Sequence, residues 1–350
     1  MLTVKQKFSH LGFAITLYMV VANLLSLIAA AIIEVGYVIS YMVNYMAVVG
    51  YDTVPTDPAF YSQMLEGMTS GSSLLIFASS LPGYFVAVPL TLWFLNATKY
   101  RDVPLKGLSF STPYEKTQKR NLSVAEFITF FLIAVFFGAA GSLVSAALSA
   151  IYSTLTGKDM NNLLNTMLSD MPIGTVLILT VILAPIFEEI LYRYGVVGYC
   201  RRYGEWNAII VSAVIFGLVH TNLFQFFYAF LLGGLFAYVY IQTRQIKYTI
   251  AMHMLFNFLG AGVPLMLSPD GAMNTAVIIY YLCFYSLAVI GLVLLIIYIK
   301  SGKLKKPTGN SPIPDYFCKD TFINTGMIVL FVLCLILTVY MQFFAPNSMM

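Results

Sequence analysis

Apolar runs long enough to cross a bilayer recur along the whole chain. Of its 350 residues, 59% are hydrophobic and 10% are charged, whereas soluble domains carry about 25% charged residues. A transmembrane helix needs roughly 20 consecutive apolar residues. Spans of this kind are predicted at 11–33, 73–97, 124–153, 172–199, 206–221, 224–242, 248–267, 275–299 and 322–344. The sequence therefore predicts an all-α polytopic transmembrane helical bundle of about nine spans in a lipid bilayer.

Apart from Lys158, the lysine and arginine residues outside the spans lie on alternate connections. They precede span 1 and occupy the connections between spans 2 and 3, 4 and 5, 6 and 7, and 8 and 9. The connection at 34–72 carries acidic residues but no lysine or arginine. Because cytoplasmic loops are enriched in basic residues, we expect a cytoplasmic N-terminus and an external C-terminus. The net charge of +4 then reflects topology and gives no reason to expect a nucleic-acid partner.

Charged residues within the spans are concentrated in the middle of the chain, where spans 4 to 7 follow one another through short connections. This pattern divides the chain into three parts. Residues 1–171 hold N-terminal transmembrane helices and a basic cytoplasmic loop, 172–267 form a four-helix core, and 268–350 hold C-terminal transmembrane helices. We expect the chemistry of the protein to lie in the four-helix core.

Three charged residues end the apolar run of span 4. An ionised side chain at the centre of a bilayer costs about 2.5 to 3.5 kcal/mol, so Glu188, Glu189 and Arg193 are functional candidates. Glu189 and Arg193 are four residues apart and can pair on one helix face, whereas Glu188 points about 100° away and stays available for other work. Pro185 cannot donate to the helix ladder and is expected to bend the span just before the carboxylates.

Two of the three histidines of the chain lie in the core. His220 follows Phe216 by four residues in span 5, and His253 precedes Asn257 by four residues in span 7. Each pair therefore shares a helix face. At a rise of about 1.5 Å per residue, antiparallel neighbours can bring these side chains and Glu188 into one shell between mid-membrane and the cytoplasmic face.

The polar residues of spans 4, 5 and 7 resemble the motifs of the CPBP intramembrane endopeptidases, also called the Abi or type II CAAX prenyl protease family. The motifs are Glu188-Glu189-xxx-Arg193, Phe216-xxx-His220 and His253-xxx-Asn257. The resemblance covers residues 172–267, and none of the polar motif positions departs from it. It implies an α-helical membrane fold, a bacterial plasma membrane, and an active site that opens to the cytoplasm. It also implies proteolysis of a peptide, a lipopeptide, a lipidated protein or a membrane-protein tail.

The resemblance also implies a role for each motif residue. Glu188 would activate water with help from His220, and Glu189 with Arg193 would position that carboxylate. His253 and Asn257 would hydrogen-bond the developing oxyanion, where a donor is commonly worth about 3 to 4 kcal/mol. Phe216 would pack in the core or form a wall of the site.

A zinc site is an open alternative for the same residues. Two histidines and a glutamate, with water as the fourth ligand, form the ligand set of a catalytic zinc. Glu188, His220 and His253 could supply this set from separate helices. The residues leave both a glutamate–histidine site and a zinc site open.

Other interpretations compete with a protease. Glu189 with Arg193 could be a structural pair, and His253 with Asn257 could join two helices by hydrogen bonds. The main rival is a non-catalytic immunity factor or peptide-binding scaffold, which should tolerate Glu188→Gln. A transporter that uses the buried carboxylates is a third interpretation, although the internal repeats common in transporters are absent from the sequence.

Two smaller features of the sequence also predict structure. Glu126 and Glu205 lie near span boundaries and are expected to be solvated. Gly233 and Gly234 in span 6 are explained more simply by a close helix contact than by a substrate channel. The sequence does not specify an oligomeric state.

Overall fold

The computed structural model describes residues 3–50, 58–70, 72–96, 119–160, 162, 171–269, 272–302 and 319–344, and all regular elements within them are helices. In chain order, the helices are α1 (Val4–Val49), α2 (Pro58–Ser70), α3 (Ser72–Pro82, a π-turn at Gly83–Ala87, and Val88–Leu95), α4 (Val124–Thr156), α5 (Ile173–Cys200), α6 (Glu205–Leu218), α7 (Leu223–Thr243), α8 (Ile246–Leu267), α9 (Thr275–Lys300), α10 (Lys319–Phe322) and α11 (Thr325–Phe343).

Eight of the described helices are long and apolar enough to cross a membrane, namely α1, α3, α4, α5, α7, α8, α9 and α11. The chain is therefore an integral membrane protein with the predicted all-α bundle. The predicted span at 206–221 corresponds to α6, which has 14 residues. At about 1.5 Å per residue, α6 is shorter than the roughly 30 Å thickness of the hydrocarbon core. Within the described residues, the predicted spans thus correspond to eight full-length helices and one shorter helix.

The segment 34–72, expected to be an external loop, is largely helical where the structure describes it. α1 continues to Val49, and α2 follows at Pro58–Ser70. The expectation of a loop was wrong because it ended the helix at position 33, just before the charged Glu34. Residues 35–49 contain no proline, so nothing in their backbone chemistry stops the helix before Gly50. The predicted basic loop between spans 2 and 3 lies outside the described residues up to position 118.

α6 and α7 form an antiparallel hairpin at the centre of the bundle, with α4 packed on α7 and α9 packed on α4. The hairpin is close because Gly233 faces α6. A Cβ atom at Gly233 would lie 3.1 Å from Cβ of Phe216 and 3.2 Å from Cα of Ala213. The predicted close helix contact at this glycine is present, and it places α7 directly against α6, the helix that carries Phe216.

The first and last long helices among the described residues, α1 and α11, cross at a pair of glycines. The Ser9 hydroxyl accepts a hydrogen bond from the backbone N–H of Gly326 at 2.9 Å. A Cβ atom at Gly12 would collide with the backbone of Gly326. Close backbone approach of this kind is typical of small residues in membrane helices. The N-terminal and C-terminal helices therefore form one frame beside the core.

Glu126 and Glu205 are engaged by arginines. Glu205 is 1% exposed, and its Oε1 lies 3.1 Å from Nη2 of Arg201. The expectation that Glu205 is solvated was wrong, because Arg201, in the turn before α6, supplies a cation. Glu126 is partly exposed, lies 2.6 Å from Nη2 of Arg120, and completes the capping box that begins α4.

Candidate active site

α5 departs from regular α-helical geometry on both sides of the carboxylates. It is π-helical at Leu177–Leu183 and again at Ile190–Val197, with an α-helical turn at Ala184–Glu189 between them. Pro185 lies at the start of that turn, where its missing N–H is tolerated. The bend expected at Pro185 stays a prediction, but the change of helix type occurs there. Short π-helical segments are frequent at functional sites.

Glu189 and Arg193 form the pair that their spacing predicts. Arg193 Nε lies 2.9 Å from Glu189 Oε2, Nη2 lies 3.2 Å from Oε1, and both side chains are fully buried. The remaining terminal nitrogen of Arg193 donates to the Ser212 hydroxyl at 2.9 Å. The guanidinium carbon lies 4.7 Å from the centroid of the Phe216 ring. A fork-shaped contact of this type fixes the orientation of the carboxylate as well as its charge.

His253 joins α8 to both carboxylates of α5. Its Nδ1 lies 3.0 Å from Glu189 Oε1, and its Nε2 lies 3.8 Å from Glu188 Oε2. The imidazole is held between two aromatic rings, with centroid distances of 5.9 Å to Phe216 and 5.6 Å to Phe236. The ring is thereby fixed in the plane that connects the two carboxylates.

Glu188 and Glu189 have different surroundings although they are adjacent. The Glu189 side chain is 0% exposed, whereas that of Glu188 is 23% exposed. Glu188 also lies within electrostatic range of His220, Tyr18 and Tyr84. The Glu189 carboxylate thus uses its oxygens in hydrogen bonds within the protein, whereas the Glu188 carboxylate is partly exposed. A difference of this kind is how neighbouring carboxylates take on different roles.

His220 lies in the turn that follows α6. Its Nδ1 is 2.6 Å from the carbonyl oxygen of Phe216. Because a carbonyl only accepts hydrogen bonds, Nδ1 carries a proton in this contact, and Nε2 keeps its lone pair when the ring is neutral. The next residue, Thr221, has φ 48°, a left-handed conformation that is unusual for a β-branched residue. Backbone strain of this kind is concentrated at functional sites. Here it fixes the orientation of the His220 imidazole relative to α6.

Asn257 is placed farther from the carboxylates than His253. Its amide Nδ2 donates to the carbonyl oxygen of Thr180 at 2.7 Å. α8 runs antiparallel to α5, since His253 meets Glu189 and Asn257 meets the earlier Thr180. The structure therefore brings together Glu188, Glu189, Arg193 and His253, with Phe216 as their shared wall, and leaves Asn257 in contact with the first π-turn of α5.

Three residues near this site were missed by the sequence analysis. Ser212 precedes Phe216 by four residues, so the shared helix face was a usable signal. Tyr18 on α1 and Tyr84 on α3 lie outside the core, and no motif pointed to them. Tyr84 stacks on Phe187 at a centroid distance of 5.1 Å and an interplanar angle of 20°. The N-terminal helices therefore contribute side chains beside Glu188.

The zinc alternative can be tested against the positions of its candidate ligands. In the part of the chain that the structure describes, no group of three or more His, Cys, Asp or Glu side chains is arranged to hold a metal ion. Glu188, His220 and His253 do not form such a group. The residues in this arrangement do not fit a zinc site.

The segment that carries these side chains matches a known protein family. A family model described as "Type II CAAX prenyl endopeptidase Rce1-like" matches residues 170–259. Residues 170–259 are thus similar to the Rce1-like endopeptidases. The resemblance drawn from the three motifs is thereby confirmed at the level of the family. The Rce1-like segment includes all of α6 and α7 and every motif residue from Glu188 to Asn257.

A curated protein of Bacillus subtilis (strain 168), named "Putative membrane peptidase YdiL", is 31% identical to the chain over 140 residues. The alignment covers 39% of this chain and 54% of that relative. The chain thus spans about half the length of the curated relative that it matches. No solved structure matches the chain.

Proposed function

We propose that the protein is an intramembrane endopeptidase, in which Glu188 and His220 activate a water molecule for hydrolysis of a peptide bond. The observation that carries the proposal is the contrast between the two adjacent carboxylates. Glu189 is fully buried and bound by Arg193 and His253, whereas Glu188 is partly exposed and within 3.8 Å of His253 Nε2. The match of residues 170–259 to the Rce1-like family model and the name of the Bacillus subtilis relative support the same class of activity.

In the first step, Glu188 accepts a proton from water while the water oxygen attacks the carbonyl carbon of the scissile bond. A partly desolvated carboxylate with no competing partner on its own helix is a suitable general base. The neutral Nε2 of His220 would accept a second hydrogen bond from the same water. Two acceptors that converge on one water orient its lone pair toward the substrate.

In the second step, the tetrahedral intermediate loses the leaving amine, and the proton held by Glu188 passes to the amine nitrogen. The negative oxygen of the intermediate needs nearby donors. His253 would serve when both ring nitrogens are protonated, since Nδ1 is directed at Glu189 and Nε2 is directed toward Glu188. Asn257 would serve only if its amide turns away from Thr180 when substrate binds.

The substrate class follows from the position of the site within the bundle. We propose a peptide, a lipopeptide or the tail of a membrane protein, which reaches Glu188 from the cytoplasmic side. Glu188 lies in the apolar α5 between π-helical turns, next to rings from α3. Apolar surroundings of this kind suit a substrate that already partitions into the bilayer.

The test is cleavage of a peptide library, some members prenylated, by the purified protein in liposomes. Wild type is compared with Glu188→Gln, His220→Ala and the control Glu126→Gln, whose carboxylate caps α4 away from the site. Cleavage by wild type and by Glu126→Gln, lost in the other two variants, supports the proposal. Loss of cleavage on adding a chelator, restored by zinc, would favour a metal-dependent form of the same hydrolysis.

The rival function is a peptide-binding scaffold or immunity factor that retains the motif residues without catalysis. The full engagement of Glu189 by Arg193 and His253 favours this rival as much as a protease, because the triad also stabilises the bundle. A folded wild type that binds a peptide without cutting it, with unchanged binding in Glu188→Gln, would select the rival.

A further inference from the structure

The turn between α7 and α8 contains a buried arginine outside the candidate active site. Arg244 directly follows α7 and is 6% exposed. None of its Nε, Nη1 and Nη2 atoms has a hydrogen-bond partner within the described residues. A guanidinium is permanently charged and offers five N–H donors, so burying it without acceptors is strongly unfavourable. The position of this side chain therefore requires hydrogen-bond acceptors that the described protein atoms do not supply, and an anionic group would also balance its charge.

The backbone of Arg244 is also unusual for an arginine. Its φ is 59°, in the left-handed region, and its N–H donates to the carbonyl oxygen of Tyr240 at 2.8 Å. Glycine or asparagine is the common residue where a helix ends in this way. A glycine would therefore suit the turn better than Arg244 does, and folding alone does not account for the arginine.

The charges at this end of the bundle are unbalanced around Arg244. The backbone N–H of Arg120 donates to the Thr243 carbonyl at 3.0 Å, so the start of the α4 segment lies beside this turn. Arg120 is bound to Glu126, the carboxylate that α4 contributes here. At the adjacent start of α6, Glu205 is bound to Arg201. The carboxylates of α4 and α6 are thus each engaged by another arginine.

We propose that Arg244 binds a phosphate-type anion, supplied by the headgroup of an anionic lipid or by free phosphate. The planar guanidinium matches two phosphate oxygens at once and is the side chain best suited to a buried phosphate contact. Basic pockets between transmembrane helices on the cytoplasmic side are suited to anionic headgroups. The turn lies among the connections where the lysines and arginines of the chain gather. This site is independent of the proposed hydrolysis.

The test is thermal unfolding of the full chain in detergent, with added phosphatidylglycerol, phosphatidylcholine or inorganic phosphate at constant ionic strength. Wild type is compared with Arg244→Gly, which removes the guanidinium while relaxing the left-handed backbone, and with Arg244→Lys. Lys247→Ala is the matched control, because Lys247 is an exposed cation three residues away. A ligand that binds only the folded state raises the midpoint of unfolding by a few degrees.

We expect phosphatidylglycerol to raise the midpoint of wild type and of Lys247→Ala more than phosphatidylcholine does. Arg244→Gly should fold and show no difference between the two lipids, and Arg244→Lys should show a reduced difference. A matching response to inorganic phosphate would identify phosphate itself as the ligand, and a response to lipid alone would identify the headgroup with its acyl chains. An equal response in Arg244→Gly, or no response of wild type to either source, would overturn the proposal.

Discussion

His253 Nδ1 lies 3.0 Å from Glu189 Oε1, a contact between residues 64 positions apart in the chain. Glu189 is already held by Arg193, so the histidine meets a carboxylate that cannot move toward it. The imidazole is therefore oriented by α5, although α8 carries it, and its Nε2 is directed to Glu188. This hydrogen bond connects the two motif helices, together with the one from Asn257 to the Thr180 carbonyl.

Replacing His253 is expected to impair hydrolysis more than stability. In His253→Ala, Glu189 keeps its contacts with Arg193, but the donor beside Glu188 is lost. We expect kcat/KM to fall by about 100-fold or more, as for the loss of an oxyanion donor. Peptide cleavage and the unfolding midpoint measure the two effects. The control is His10→Ala, whose ring stacks on Phe94 outside the site. Activity near the wild-type level in His253→Ala would refute the assigned role.

Breaking the buried ion pair is expected to destabilise the protein. Arg193→Met leaves Glu189 charged in a fully buried position, a change that typically costs about 3 to 5 kcal/mol. The double variant Glu189→Leu/Arg193→Met removes both charges and should recover much of that stability. It should not recover cleavage, because His253 then has no carboxylate to orient it. Equal stability of the single and double variants would show that the pair is not coupled.

Tyr84→Phe isolates the contribution of a hydroxyl from α3. The stack on Phe187 is retained by phenylalanine, so the fold should be unchanged. One hydrogen bond to substrate is worth about 0.5 to 1.5 kcal/mol, and we expect KM to rise by roughly 2- to 12-fold with kcat nearly constant. Steady-state kinetics on a cleaved peptide measure this split. Tyr281→Phe, on the exposed face of α9, should be neutral. A loss confined to kcat would mean that the hydroxyl acts on the reacting atoms.

Two adjacent glycines of α7 are expected to respond in opposite ways. A Cβ at Gly233 would lie 3.1 Å from the Cβ of Phe216, whereas a Cβ at Gly234 would meet its nearest neighbour, Ala213 Cβ, at an ordinary 3.6 Å. Gly233→Ala should cost about 1 to 3 kcal/mol through overpacking and reduce cleavage by displacing Phe216. Gly234→Ala should be neutral or stabilising by up to about 1 kcal/mol through helix propensity. Unfolding midpoints of the two variants, measured side by side, test the contrast.

Helix-internal contacts could be predicted from the sequence because they depend on spacing alone. The pairing of Glu189 with Arg193 follows from a separation of four residues, and the structure has it. Contacts between helices depend also on rotation and depth, which spacing does not determine. Asn257 shares a helix face with His253 but lies one turn, or about 6 Å, farther along α8. It consequently meets Thr180 instead of the carboxylates.

Other features of the structure could not be predicted from hydropathy or from motifs. The extension of α1 to Val49 passes Glu34 and Gly36, because a helix needs no apolar side chain once its backbone is satisfied. The burial of Glu205 depended on Arg201 in the turn before α6. Tyr84 lies beside the site on α3, whose apolar pattern predicts a span but whose residues match no motif. In each case the missing information was a tertiary contact.

The crossing of Ser9 and Gly12 on α1 with Gly326 on α11 has a consequence for biosynthesis. The ribosome synthesises α1 long before α11. α1 is therefore in the membrane without its contact to α11 while the helices between them are inserted. During that interval, the part of α1 around Ser9 and Gly12 lacks the close backbone contact that Gly326 makes with it. Contacts between such distant segments form slowly. The contact that joins α1 to α11 can therefore form only after α11 has been inserted.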